Sequence, residues 1–98
     1  MLSKKICEVL RDAGLPQGGL QYYNRLANPT VDILLRECKK LAVALFDDFY
    51  RIEMYEFADC AQVGVYTTHD ETFYLVDADT LRAALAALWL KLKEKEDG

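Results

Sequence analysis

The chain has 98 residues, 52% apolar and 29% charged, with a formal net charge of −4. That is one domain, and its apolar content excludes disorder as the main state, because disordered chains lack the side chains that offset ordering entropy. The length excludes the large cofactor-binding folds, and no apolar run approaches the ~20 residues of a membrane span. The opening stretch carries Lys4 and Lys5 but no long apolar run, so it does not read as a signal peptide and a cytoplasmic location is expected. Cys7, Cys38 and Cys60 are odd in number and widely spaced, with no CxxC, which fits reduced thiols and no zinc site. Cys7 and Cys38 lie among apolar residues and read as core side chains. Cys60 follows a polar turn and is the one expected to be exposed.

Residues 3 to 13 predict a short helix capped by Ser3, with Ile6, Val9 and Leu10 at helical spacing and Gly14 as its stop. Residues 15 to 29 hold two prolines, two glycines and two asparagines and predict a loop, which Leu20, Tyr22, Tyr23 and Leu26 lay against the core. Asn28 and Pro29 predict the cap and first position of a helix over 29–46. Its stripe is Val31, Leu34, Leu35, Cys38, Leu41, Ala42 and Leu45. Residues 47 to 61 admit two readings. Phe46, Tyr50, Met54 and Phe57 fit a helical stripe, but the alternation of Tyr50, Ile52 and Met54 with Arg51, Glu53 and Tyr55 favours a strand. QVGVYTT and TFYLV around a short polar turn then predict a β-hairpin, with Val63 and Val65 on one face and Phe73 and Leu75 turned to the core. The alanine- and leucine-rich segment 79–95 predicts a last helix capped by Asp77 or Asp79, with a frayed EDG tail. The predicted class is α+β: a single domain over 1–98, in the order α-α-β-β-β-α, with a three-stranded antiparallel meander over 49–76 packed against helices.

Charge is uneven along the chain. Residues 46 to 80 hold nine acids against one base, Arg51, a net of −8, whereas 1–45 carry +3 and 81–98 carry +1. The same segment holds eight of the eleven aromatics. Period-two alternation turns Tyr55, Tyr66 and Tyr74 outward with Glu53 and Arg51. Exposed tyrosines offer cation–π platforms to arginine, and carboxylates accept its bidentate hydrogen bonds. Glu53, Tyr55, Glu56, Asp59, Tyr66 and Tyr74 are therefore the candidate partner-binding residues, and the partner they suit is a basic protein. Asp77 and Asp79 are set apart as helix caps. A plainer account assigns the acids to solubility and the aromatics to strand preference.

Direct nucleic-acid binding is disfavoured, since acidic strands repel phosphates. His69, the one histidine, sits in a turn between Thr68 and Asp70, a poor place to fix a general base. Neighbouring Asp47 and Asp48 point different ways, and Gly18-Gly19 lacks the spacing of a phosphate cradle. No catalytic residue, cofactor or metal site is assigned.

On a helical wheel of the last helix, Leu81, Leu85, Leu88 and Leu92 form one stripe, with Trp89 at its edge. Ala83, Ala86, Ala87 and Leu90 form a second apolar face. Either the N-terminal helix covers that face, or it pairs two copies as a homodimer.

The segments PTVDILLRECKKL, TTHDETFYLVDADTL and LRAALAALWLKLKEK resemble small bacteriophage and prophage accessory proteins of a helix–sheet–helix sandwich type. The shared string here is Ala84-Leu85-Ala86-Ala87-Leu88-Trp89-Leu90, and the likeness spans about residues 28 to 95. The acidic stretch 47–61 departs from it. The resemblance implies an accessory protein made in a bacterial cytoplasm during infection or lysogeny, and it brings no catalytic residues. The expectation is a non-enzymatic protein that binds a basic host or phage protein, such as a nucleic-acid-handling complex. Its concrete form is an anti-CRISPR-like inhibitor of a bacterial defence system.

Overall fold

The computed structural model describes residues 2–17, 21–23, 26–69 and 71–98, with residues 21–23 and 73 described by backbone alone. The expected Leu20, Tyr22 and Tyr23 contacts lie outside the described side chains. In chain order the elements are α1 (Lys4–Asp12), β1 (Gln21–Tyr23), β2 (Leu26–Asn28), α2 (Val31–Leu45), β3 (Phe49–Glu56), β4 (Ala61–Thr67), β5 (Thr72–Ala78) and α3 (Leu81–Asp97). The class is the expected α+β, with three helices and a three-stranded antiparallel sheet in the order β3-β4-β5.

Ser3 caps α1 by accepting a hydrogen bond from the Ile6 N–H. Gly14 ends it with a φ of +99°, a conformation open to glycine because it has no Cβ. The Leu15 N–H bonds the Leu10 carbonyl and the Gly14 N–H bonds that of Arg11, a Schellman closure that tucks Leu15 against Leu10. The helix buries Cys7 and Leu10, while Val9, expected on the apolar stripe, is exposed.

The segment expected to be a loop contains an antiparallel hairpin, β1 with β2. Asn28 belongs to that hairpin and does not cap α2. Its buried side-chain amide accepts from the Leu2 N–H and donates to the Leu2 carbonyl, both at 3.3 Å, so it holds the N-terminal segment as a strand neighbour would. The α2 cap is Thr30, whose hydroxyl accepts from the Ile33 N–H, and Pro29 precedes the helix. The strand reading of residues 47–61 is correct in kind, and β3 fills 49–56 of that span.

Thr80 caps α3, in place of Asp77 or Asp79, by accepting from the Ala83 N–H. Threonine adjoins the first turn, whereas both aspartates come earlier in the chain. The helix also runs through Glu96 and Asp97, which pair with Lys93 instead of fraying.

Helix α3 lies between α2 and the sheet. Leu34, Cys38 and Ala42 of α2, Val63 and Val65 of β4, Val76 of β5, and Leu85, Leu88, Trp89 and Leu92 of α3 form one buried cluster. Burying a leucine or valine fully contributes about 1.5–3 kcal/mol, so this layer holds the sheet to the helices.

Candidate functional site

Strand register sorts the candidate residues onto two faces. Ile52 pairs with Val65 and Met54 with Val63, and on the other side Val65 pairs with Tyr74 and Val63 with Val76. These side chains share the helix-packed inner face, although Met54 is exposed. Arg51 pairs with Tyr66, Glu53 with Gly64, Tyr55 with Gln62, Gly64 with Leu75, and Gln62 with Asp77. Alternation puts these on the outer face. The helices pack on the opposite side, so the outer face is open among the described residues.

The phase of β5 is therefore the reverse of the one expected. Tyr74 turns inward with Val76 and Ala78, and Leu75 turns outward at 52% exposure. Asp77 shares parity with Leu75, and turning Leu75 inward would have buried that carboxylate. A charged side chain without a partner outweighs one leucine. Tyr74 leaves the candidate face and meets Phe46 edge to face at 6.2 Å. Beside it lies a pocket of about 360 Å³ lined by Tyr74, Lys91, Glu94 and Lys95.

On the outer face the polar and aromatic groups form a connected row. The Arg51 Nε donates to Glu53 Oε1 at 2.8 Å, and the Tyr55 hydroxyl donates to the other Glu53 oxygen. The Arg51 guanidinium sits 5.3 Å from the Tyr50 ring centre and 5.0 Å from that of Tyr66, so it is clasped between two rings. Gly64 makes the row flat. A Cβ there would fall 2.8 Å from a Tyr66 ring carbon and 3.2 Å from a Leu75 methyl, so only glycine lets both close over the backbone. Tyr55 titrates above the usual tyrosine range, first because its proton is held by Glu53 and then because of local desolvation.

The other candidates border this face. Glu56 ends β3 with inner-face parity, and Asp59 lies in the β3–β4 turn, both exposed. Cys60 beside them is half-buried. Its thiol pKa is raised, first by desolvation and then by the Asp59, Asp77 and Asp79 carboxylates. Those three acids therefore gather at one end of the sheet around a thiol that stays protonated. Asp77, read from sequence as a cap, instead accepts from Gln62 Nε2 at 2.9 Å and belongs to this end. Arg51, Tyr50, Gln62 and Leu75 were not singled out from sequence as contact residues. Arg51 shares the parity of Glu53 and Tyr55, Gln62 and Leu75 join them only through the register, and Tyr50 has the opposite parity and comes beside Arg51 through the bulge between Phe49 and Arg51.

The second apolar face of α3 is partly covered within the chain. Ala86 is 1% exposed, and Ala83, Ala87 and Leu90 are half-buried against the core. Helix α3 as a whole packs against α2, the sheet and, to a smaller extent, α1.

His69 is exposed in the β4–β5 turn, where its N–H bonds the Thr67 hydroxyl. That buried hydroxyl also accepts from the Glu71 N–H and so shapes the turn. Among the described residues no three of His, Cys, Asp and Glu converge as a metal site, and no helix is long and apolar enough to cross a membrane. In comparisons with protein-family models, curated proteins and solved structures, nothing matches this chain.

Proposed function

We propose that this is a non-enzymatic binding protein that engages a basic protein through the outer face of its sheet and the acidic end beside it. The observation that carries the reading is the open, flat row of Glu53, Tyr55, Arg51 and Tyr66, held in place before any partner arrives. Side chains already ordered lose less entropy on binding, so more of the contact energy becomes affinity. Tyr55 offers its ring to arginine beside the Arg51–Tyr66 contact already made within the chain, and Glu56, Asp59, Asp77 and Asp79 accept its hydrogen bonds. Leu75 adds apolar area that water leaves on contact.

The bacteriophage resemblance supplies the setting. In it the protein is an accessory factor in a bacterial cytoplasm, and its partner is a nucleic-acid-handling protein. The concrete form is an anti-CRISPR-like inhibitor of a defence complex, whose acidic aromatic face occupies a basic channel in competition with nucleic acid.

The test is capture of partners from bacterial lysate on the tagged protein, with mass spectrometry, at low and high salt. The triple variant Glu56→Lys, Asp59→Lys, Asp77→Lys runs beside it. The expected result is a nucleic-acid-handling protein retained at low salt, released at high salt and absent from the variant's eluate. Equal capture by the variant, or capture of nothing, overturns the reading.

A further inference from the structure

Strand β3 is an edge of its sheet, with β4 on one side only. The Phe57 N–H donates to the Cys60 carbonyl at 2.8 Å across the β3–β4 turn. Backbone groups of successive residues point to alternate sides of a strand, so Tyr55, Glu53 and Arg51 also face β4. The N–H and C=O of Ile52, Met54 and Glu56 therefore face the free edge, and a bulge between Phe49 and Arg51 ends the regular run. Exposed apolar side chains gather along this edge: Tyr50, Met54 and Tyr55 on the strand and Phe57 just after it. Proline, a common guard of free edges, is absent from β3.

We propose that a second copy of this chain docks on that edge, β3 antiparallel to β3 about a two-fold axis at Ile52, to make a continuous six-stranded sheet. Charge selects both the partner and the register. Arg51 and Glu53 flank Ile52 and form an ion pair at 2.8 Å within the chain. With the axis at Ile52, Arg51 of each copy lies opposite Glu53 of the other. The two in-chain pairs then run head to tail, and every charge in the ring of four has an opposite charge on both sides. An axis at Glu53 would set two glutamates face to face. An axis at Met54 would set Arg51 against Phe57 and leave both charges without an opposite across the strands. The contact is isologous, the commonest form of a closed pair. It widens the sheet without covering its outer face but draws on Arg51 and Glu53 of that face, and Met54→Pro, which leaves both side chains in place, separates loss of pairing from loss of partner capture.

Sedimentation equilibrium over a concentration series tests it, with circular dichroism to show that each variant is folded. The wild type is expected to pass from monomer to dimer mass. Arg51→Glu and Glu53→Arg, each alone, dimerise at least about tenfold more weakly, because both cross-strand pairs become repulsive. Mixed in equal amounts, the two variants recover the dimer mass as a heterodimer. Met54→Pro keeps the fold, since the N–H it removes faces the free edge, but it stays monomeric. A wild type that remains monomeric at millimolar concentration overturns the proposal. So do single charge variants that dimerise like the wild type, or a mixture that stays monomeric.

Discussion

The two faces of the three-stranded sheet come from the same 22 residues of strand, yet different physics holds each one. The centre of the inner face is apolar and closed under the helices, and Val63 and Val65 have no solvent exposure. The outer face is a row of charges and rings joined by directed contacts, from Tyr50 through Arg51 and Glu53 to Tyr55. Volume and exclusion of water hold the first face in place, so it tolerates few changes of size or polarity. Directed polar contacts at the surface hold the second, where the Arg51–Glu53 pair is half-buried and surface ion pairs typically contribute about 0–1 kcal/mol. Contacts of this kind add little to stability, so residues of the outer face can change without unfolding the domain.

That contrast breaks first where α3 meets the inner face. Leu88→Ala is expected to cost about 2–5 kcal/mol, read as a lower urea midpoint, because Leu88 is fully buried and the cavity left behind closes only in part. Val65→Thr keeps the shape but buries a hydroxyl, at a cost of about 1–3 kcal/mol. Its outer-face counterpart sharpens the comparison, since Leu75→Thr is expected to stay within about 0.5 kcal/mol of the wild type while weakening partner capture. Equal losses of stability for the two threonine variants would mean that the faces are not distinct.

Between these in size lies an effect of pH. Cys38 is buried under α3, its Sγ donates to the Leu85 carbonyl, and burial followed by the charge of Glu37 pushes its pKa from the usual 9.0 to about 12. In the unfolded chain the thiol ionises near 9.0, so the folded state holds the proton more tightly. The stability this supplies is complete below pH 9 and is lost as the pH rises toward 12. Urea midpoints measured on either side of pH 9.0 should fall more steeply for the wild type than for Cys38→Ala. Equal slopes would remove Cys38 as a source of the pH dependence.

Much of this division was legible in the amino-acid order. The helices and the meander follow from periodicity, and the acidic, aromatic middle of the chain did locate the open face. Three features were harder to read, each for a local reason. The phase of β5 offers two apolar sets, Phe73 with Leu75 and Tyr74 with Val76 and Ala78, and the charge of Asp77 decides between them. Asn28 has the residue type of a cap, but its amide is engaged by Leu2, 26 positions away, a contact that no local pattern encodes. The clasp around Arg51 needs the β3–β4 register and the small size of Gly64, and it emerges only once two strands are paired. The candidate site was therefore readable in composition and in part of its membership, while its geometry came from pairing.

Hydroxyl-radical footprinting of the protein, alone and with its captured partner, reads whether the outer face is the surface that binds. Tyr50, Tyr55 and Leu75 on the sheet, at 62%, 43% and 52% exposure, are the reporters, with Val43 on α2 and Val9 on α1 as exposed controls. The partner is expected to suppress modification of Tyr55 and Leu75 and to leave Val43 and Val9 unchanged. Protection at Val43 or Val9, with Tyr55 and Leu75 still modified as in the free protein, would contradict it.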